Sequence, residues 1–146
     1  MKDCLLCIGE NRPIAPNVYR MVLHGDLSPI TAPGQFVNLK LDGAYLRRPI
    51  SVCDLEGDAL TIIYKVVGRG TEMMARMEKG QSLWALLGLG NGYDLSPCGE
   101  RPLLIGGGVG VPPLYLLAKK LRAMGKDVSV VLGFNTSSEA FLREEF

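Results

Sequence analysis

Two adjacent cations, Arg47 and Arg48, run into Pro49 and then into Ile50-Ser51-Val52-Cys53, a short apolar stretch carrying one hydroxyl. A guanidinium can fork onto a phosphate or pyrophosphate. Pro49 removes a donor and holds the residue before it extended, and Ser51 offers its hydroxyl further along the strand. Such a segment can hold an anion and a polar ring together, as a clamp on a flavin nucleotide would. A basic edge strand whose arginines only keep it soluble fits the same residues.

Two glycine-rich turns could serve the same end. Gly68-Arg69-Gly70-Thr71 leads into Glu72 to Lys79, which has helical composition and stops at Gly80. Thr71 is the expected N-cap, and the free N–H groups of a helix start favour a phosphate. A connector helix closing the end of a barrel is the other reading. Gly106-Gly107-Gly108-Val109-Gly110 lies where a strand should meet a helix, with Pro112 in the first helical turn, where its missing N–H does no harm. Pro113 stands where a G-x-G-x-x-G motif needs its third glycine, so the run can equally be a packing turn.

Composition narrows the chemistry. The chain has 146 residues, 47% of them hydrophobic, a formal net charge of +1 and one histidine. No broad basic field exists to draw nucleic acid or an anionic membrane. The sequence holds no Ser-His-Asp arrangement, H-E-x-x-H or P-loop, so a cofactor must carry the reaction. The start Met-Lys-Asp-Cys lacks the order of a signal peptide, which makes the cytoplasm the expected location. Cys4, Cys7, Cys53 and Cys98 are read as reduced thiols, with Cys4 and Cys7 buried in a strand rather than binding metal. No metal site is expected. His24 is read as structural, and Asn135-Thr136-Ser137 as an unused glycosylation match.

The elements that would position these residues follow from periodicity. Val37, Leu39 and Leu41 alternate with Phe36, Asn38 and Lys40, and Leu60, Ile62, Tyr64 and Val66 alternate with Thr61, Ile63, Lys65 and Val67. Strands are expected near 3-9, 17-24, 35-41, 49-53, 59-67 and 82-87, enough for a six-stranded antiparallel β-barrel over residues 1-98. Residues 88-101 read as a linker. From residue 99 onward, strand (102-105), glycine turn, helix (111-124) and strand (128-132) make a βαβ unit, with a third helix expected from about Ser138. The expected fold is therefore a barrel followed by an incomplete α/β nucleotide-binding domain over 99-146.

Arg48-Pro49-Ile50-Ser51 resembles the flavin-binding signature of the ferredoxin-reductase superfamily. The runs Leu46 to Ser51, Ile62 to Thr71, Leu87 to Tyr93 and Gly106 to Tyr115 resemble, in the same order, the electron-transfer subunits of NAD-dependent dihydroorotate dehydrogenases. The resemblance implies an oxidoreductase subunit of pyrimidine biosynthesis. In it, FAD takes electrons from an FMN-containing catalytic partner subunit and passes them to NAD⁺. It implies FAD contacts at Arg48, Pro49, Ile50, Ser51, Ile63, Tyr64, Lys65, Gly70 and Thr71. Ser51 is the residue expected to reach the isoalloxazine edge and take part in catalysis. For NAD(H), it implies Gly106, Gly107, Gly108, Gly110 and Pro112.

Three departures qualify the resemblance. Ile50 stands where many superfamily members have a tyrosine that stacks on the flavin, and Leu89 stands where a proline is usual. The family's 2Fe-2S cluster uses four cysteines of a C-terminal region. The cysteines here lie at other spacings, so the chain is read as truncated before that region, cluster-free and a weak user of NAD(H). A flavin subunit serving a ferredoxin:NADP oxidoreductase or a sulfide dehydrogenase, and a flavin-binding fragment without turnover, are the alternatives.

Overall fold

A computed structural model describes all residues, 1–146. Six strands close an antiparallel barrel: β1 (Lys2–Ala15), β2 (Val18–His24), β3 (Phe36–Leu39), β4 (Arg48–Glu56), β5 (Ala59–Lys65) and β6 (Ser82–Leu89). Their order around it is β1-β2-β5-β4-β3-β6. Alternation sends Leu6 and Ile8, Met21 and Leu23, Val37 and Leu39, and Leu60 and Ile62 into one buried core. A short helix, α1 (Arg69–Ala75), plugs the barrel through Met74, which is fully buried in that core.

Two strands are longer than their patterns suggest. Strand β1 was expected to stop near residue 9, yet it continues through Pro13 to Ala15. Its pairing with β6 ends at Cys7, and beyond that point only β2 flanks it. A strand edge tolerates proline, because the lost N–H would have had no partner there. The hairpin then turns at Asn17, in the left-handed region at φ 57°. Strand β4 runs on to Glu56 rather than stopping at 53, past a register shift between Val52 and Asp54 that a period-two reading cannot follow.

The α/β portion is small. Strands β7 (Leu103–Gly107) and β8 (Ser129–Gly133) pair in parallel, and α2 (Pro112–Ala123) crosses between them with Pro112 in its first turn. Two expectations need correcting here. Gly106 and Gly107 belong to β7 and pair with Leu132 and Gly133, so the turn itself is only Gly108–Gly110. In place of a third helix there is one 3-10 turn at Ser137–Glu139.

Val111 and Phe141 of the α/β portion bury against Val18, Cys53 and Ile63 of the barrel. Lys119 reaches across to Asp54 and Glu56 at 2.8 and 3.1 Å. The stretch read as a linker is itself held to the barrel. The Tyr93 amide donates to the Pro33 carbonyl at 2.9 Å, and the Gln35 side chain donates to the Gly90 carbonyl at 3.0 Å. No helix is long and apolar enough to cross a membrane.

Candidate functional site

Strand parity sorts the residues of the RPIS segment. Leu39 pairs with Arg48 and Val37 with Ile50, and both β3 residues are fully buried in the barrel, so Arg48 and Ile50 lie on the core side of β4. Pro49 and Ser51 pair with Asn38 and Phe36 on the outer side. Pro49 is exposed and Ser51 half-buried, so this outer strip is open to a ring laid along the strand. The Oδ1 of Asn38, opposite Pro49, is a buried acceptor with no partner in the chain.

The two arginines divide their work. Arg47 holds Asp3 with two parallel bonds, Nη1 to Oδ1 at 2.8 Å and Nη2 to Oδ2 at 2.9 Å, tying the start of β4 to β1. Those bonds hold the Asp3 carboxyl below its ordinary pKa. Arg48 instead turns toward α1. Its Nη1 donates to the Leu46 carbonyl at 2.6 Å, and its guanidinium lies across Gly70 so closely that a Cβ there would collide with it. The glycine makes room for the cation at the helix start, where the first-turn amides have no acceptor within the helix.

The sequence places the helix start too late. The N-cap is Gly68, and Thr71 is the third helical residue. Its hydroxyl accepts from the amides of Val67 and Gly68 at 2.9 and 3.2 Å and donates to the Gly68 carbonyl at 3.0 Å. With both lone pairs and its proton engaged, the side chain has nothing left for a ligand, and only the backbone of Thr71 can take part.

Two further expected contacts lose their side chains to packing. Tyr64 points into the barrel, stacks on Tyr19 at 5.8 Å between centroids and donates its hydroxyl to Asn11 Oδ1 at 2.9 Å. Burial raises its pKa. Ile63 faces outward but is covered by Val111 and Phe141. Lys65, one step on, stays accessible and lines a cleft of about 330 Å³ against the glycine turn, with Gly107, Gly108, Val109, Asn135 and Glu139.

The glycines of that turn do different jobs. A Cβ on Gly106 would meet Leu114 Cδ1 at 2.6 Å and Val111 Cα at 3.3 Å, so its bareness lets α2 pack on β7. A Cβ on Gly108 or Gly110 would meet nothing within 4 Å. Gly108 also sits at φ 52°, a conformation that favours glycine. The turn therefore presents open backbone at the end of a parallel strand, a geometry suited to a dinucleotide's phosphates.

The thiols do not converge. A three-residue spacing on a strand puts side chains on opposite faces, and accordingly Cys4 is buried while Cys7 is exposed, which corrects the reading of both as core. Burial, with the Asp54 charge beside it, pushes the Cys53 thiol up to about 12, so it is inert as a nucleophile or ligand. No group of three or more His, Cys, Asp or Glu residues is placed to hold a metal ion. Sequence reasoning missed Asn11, whose Nδ2 donates to the Met74 and Met77 carbonyls at 2.8 Å each and closes the end of α1. It also missed Glu139 and Phe141 of the cleft, since only the fold brings residues after β8 back to β5.

No protein-family model matches the chain. Among curated proteins, the chain is 44% identical to the dihydroorotate dehydrogenase B (NAD(+)) electron transfer subunit of Fusobacterium nucleatum subsp. nucleatum, with all of the chain and 59% of the relative covered. It is 42% identical to the corresponding subunit of Bacillus pumilus, with all of the chain and 60% of the relative covered. The chain thus spans about three fifths of the length of the curated relatives it matches. Among solved structures, the NADH-dependent reduced ferredoxin-NADP oxidoreductase studied for flavin-based electron bifurcation superimposes with a TM-score of 0.87 at 31% identity. That match takes in 97% of this chain and 52% of the other.

Proposed function

We propose, from the homology of the whole chain to electron transfer subunits of dihydroorotate dehydrogenase B and from its ferredoxin-reductase-like fold, that this chain binds FAD as an electron-transfer unit. In this reading residues 1-98 hold FAD and residues 99-146 begin an NAD(H)-binding domain. Electrons come from dihydroorotate oxidation in an FMN-containing partner subunit and leave to NAD⁺, in the cytoplasm. The observation that carries the reading is Arg48 lying across Gly70 at one end of an open outer strip. A dinucleotide needs a cation for its pyrophosphate and a flat bed for its ring within one molecule's reach.

Bound FAD supplies the hydride and electron transfer chemistry. The chain's own residues bind and orient it. Arg48 offers the charge-assisted contact to phosphate, with the backbone of Gly70 and Thr71 beside it. Pro49 and Ser51 face the ring from the outer strip, with the Ser51 hydroxyl set to meet its polar edge. Ile50 shapes the same strand from the core side, and Ile63 and Tyr64 contribute backbone only. Lys65 stands at the junction with the nucleotide side. There Gly108 and Gly110 give close backbone approach, Pro112 starts the helix, and Gly106 and Gly107 set the strand end.

A second reading is favoured by one observation. The likeness to the NADH-dependent reduced ferredoxin-NADP oxidoreductase fits a flavin subunit that serves a ferredoxin-linked partner instead. The test common to both is the visible spectrum of the purified chain and the identity of the extracted cofactor. Flavin bands with FAD released on denaturation support the proposal. A colourless chain that takes up neither FAD nor FMN ends it. Adding dihydroorotate with the FMN-bearing catalytic chain, or reduced ferredoxin, then separates the two partners.

A further inference from the structure

The cleft between β5 and the glycine turn contains two charged side chains, Lys65 and Glu139, with Nζ and Oε1 4.0 Å apart. That spacing exceeds a charge-assisted hydrogen bond, and both side chains keep solvent contact. The pair is therefore a loose Coulombic contact. The other ion pair joining the same two parts of the chain is different in kind, because Lys119 of α2 makes direct bonds to Asp54 and Glu56 of β4. The α/β portion is fastened on that side and only lightly closed across the cleft.

The remainder of the cleft has an apolar floor of Val18, Phe134 and Phe141 and bare backbone at Gly107, Gly108 and Gly133. Its net charge is zero, so it exerts no pull on an anion while Glu139 faces Lys65. Resting on the nucleotide reading above, we propose that Lys65 is the recognition cation for an anionic group of the pyridine nucleotide and that Glu139 is its built-in competitor. An incoming phosphate exchanges with the Glu139 carboxylate. Glu139 thereby sets affinity without touching the ligand, which lets a product leave a site that would otherwise hold it too tightly.

The test is NADH titration of the 146-residue chain and of Glu139→Gln, Lys65→Met and the double variant, followed by isothermal calorimetry. Both side chains are partly exposed, so all four forms should share one denaturation midpoint. Glu139→Gln should tighten NADH about two- to fivefold, the range expected for a solvent-exposed pair. Lys65→Met should weaken it. In the Lys65→Met background the gain from Glu139→Gln should vanish, because the two act as a unit. Weaker binding by Glu139→Gln, no change in it, or an equal gain without Lys65 would overturn this proposal while leaving the nucleotide reading standing. Absence of NADH binding in all four forms would remove the nucleotide reading and this proposal with it.

Discussion

The guanidinium of Arg48 occupies the space that a side chain on Gly70 would need, so a strand residue and a helix residue 22 positions apart share one volume. Gly70→Ala should therefore split stability from binding. Alanine favours the helix by up to about 1 kcal/mol over glycine, and Arg48 is long enough to swing away. Urea denaturation should show a chain at least as stable as the original, while FAD titration shows weaker binding. Equal loss of both would mean that Arg48 cannot move and that the contact is structural.

The neighbouring arginines should behave oppositely. Arg48→Ala is expected to weaken FAD by about 1.5–3 kcal/mol, the range for a bond to a charged group, with little effect on folding. Arg47→Ala should leave FAD affinity alone and cost about 0.5–1 kcal/mol of stability, a figure kept low because Asp3 is well exposed to solvent. Its pH dependence has a definite sign. Asp3 has a lowered pKa in the folded chain, so its contribution is present above the ordinary carboxylate range and lost as pH falls through the folded value. Denaturation curves of Arg47→Ala and the parent should converge in acid.

Much of this site was legible in the chain and part of it was not. Alternation placed the barrel strands because one face of each is buried, and the RPIS segment stood out because two cations beside a proline are unusual at a strand start. Side-chain direction was harder. Tyr64 and Ile63 sit in the expected strand, but which of them is covered depends on what packs over each face, and that is settled by Met74, Val111 and Phe141 from other elements. Thr71 looked like a cap from its neighbours, but the helix begins two residues before it at Arg69, with Gly68 as its extended N-cap.

Tyr64→Phe tests that correction. Losing the hydroxyl bond to Asn11 should cost about 0.5–1.5 kcal/mol in thermal or urea unfolding. FAD affinity should stay unchanged, because the phenol faces the barrel interior. A drop in FAD affinity without loss of stability would show that the ring reaches the ligand.

The glycines of the second turn separate in the same way. Gly106→Ala should destabilise the chain by about 1–3 kcal/mol through overpacking against Leu114. Gly110→Ala meets open space and should fold normally but bind NADH less well. Should Gly110→Ala bind NADH like the parent, the turn is only a packing device.

The most direct measurement is titration of FAD and of FMN into the flavin-free chain, followed by flavin fluorescence, with Arg48→Ala alongside. A site built from Arg48, Gly70 and the outer strip of β4 should bind FAD more tightly than FMN, and Arg48→Ala should reduce the affinity for FAD. Binding of neither flavin, or FAD binding that Arg48→Ala leaves unchanged, would contradict the account.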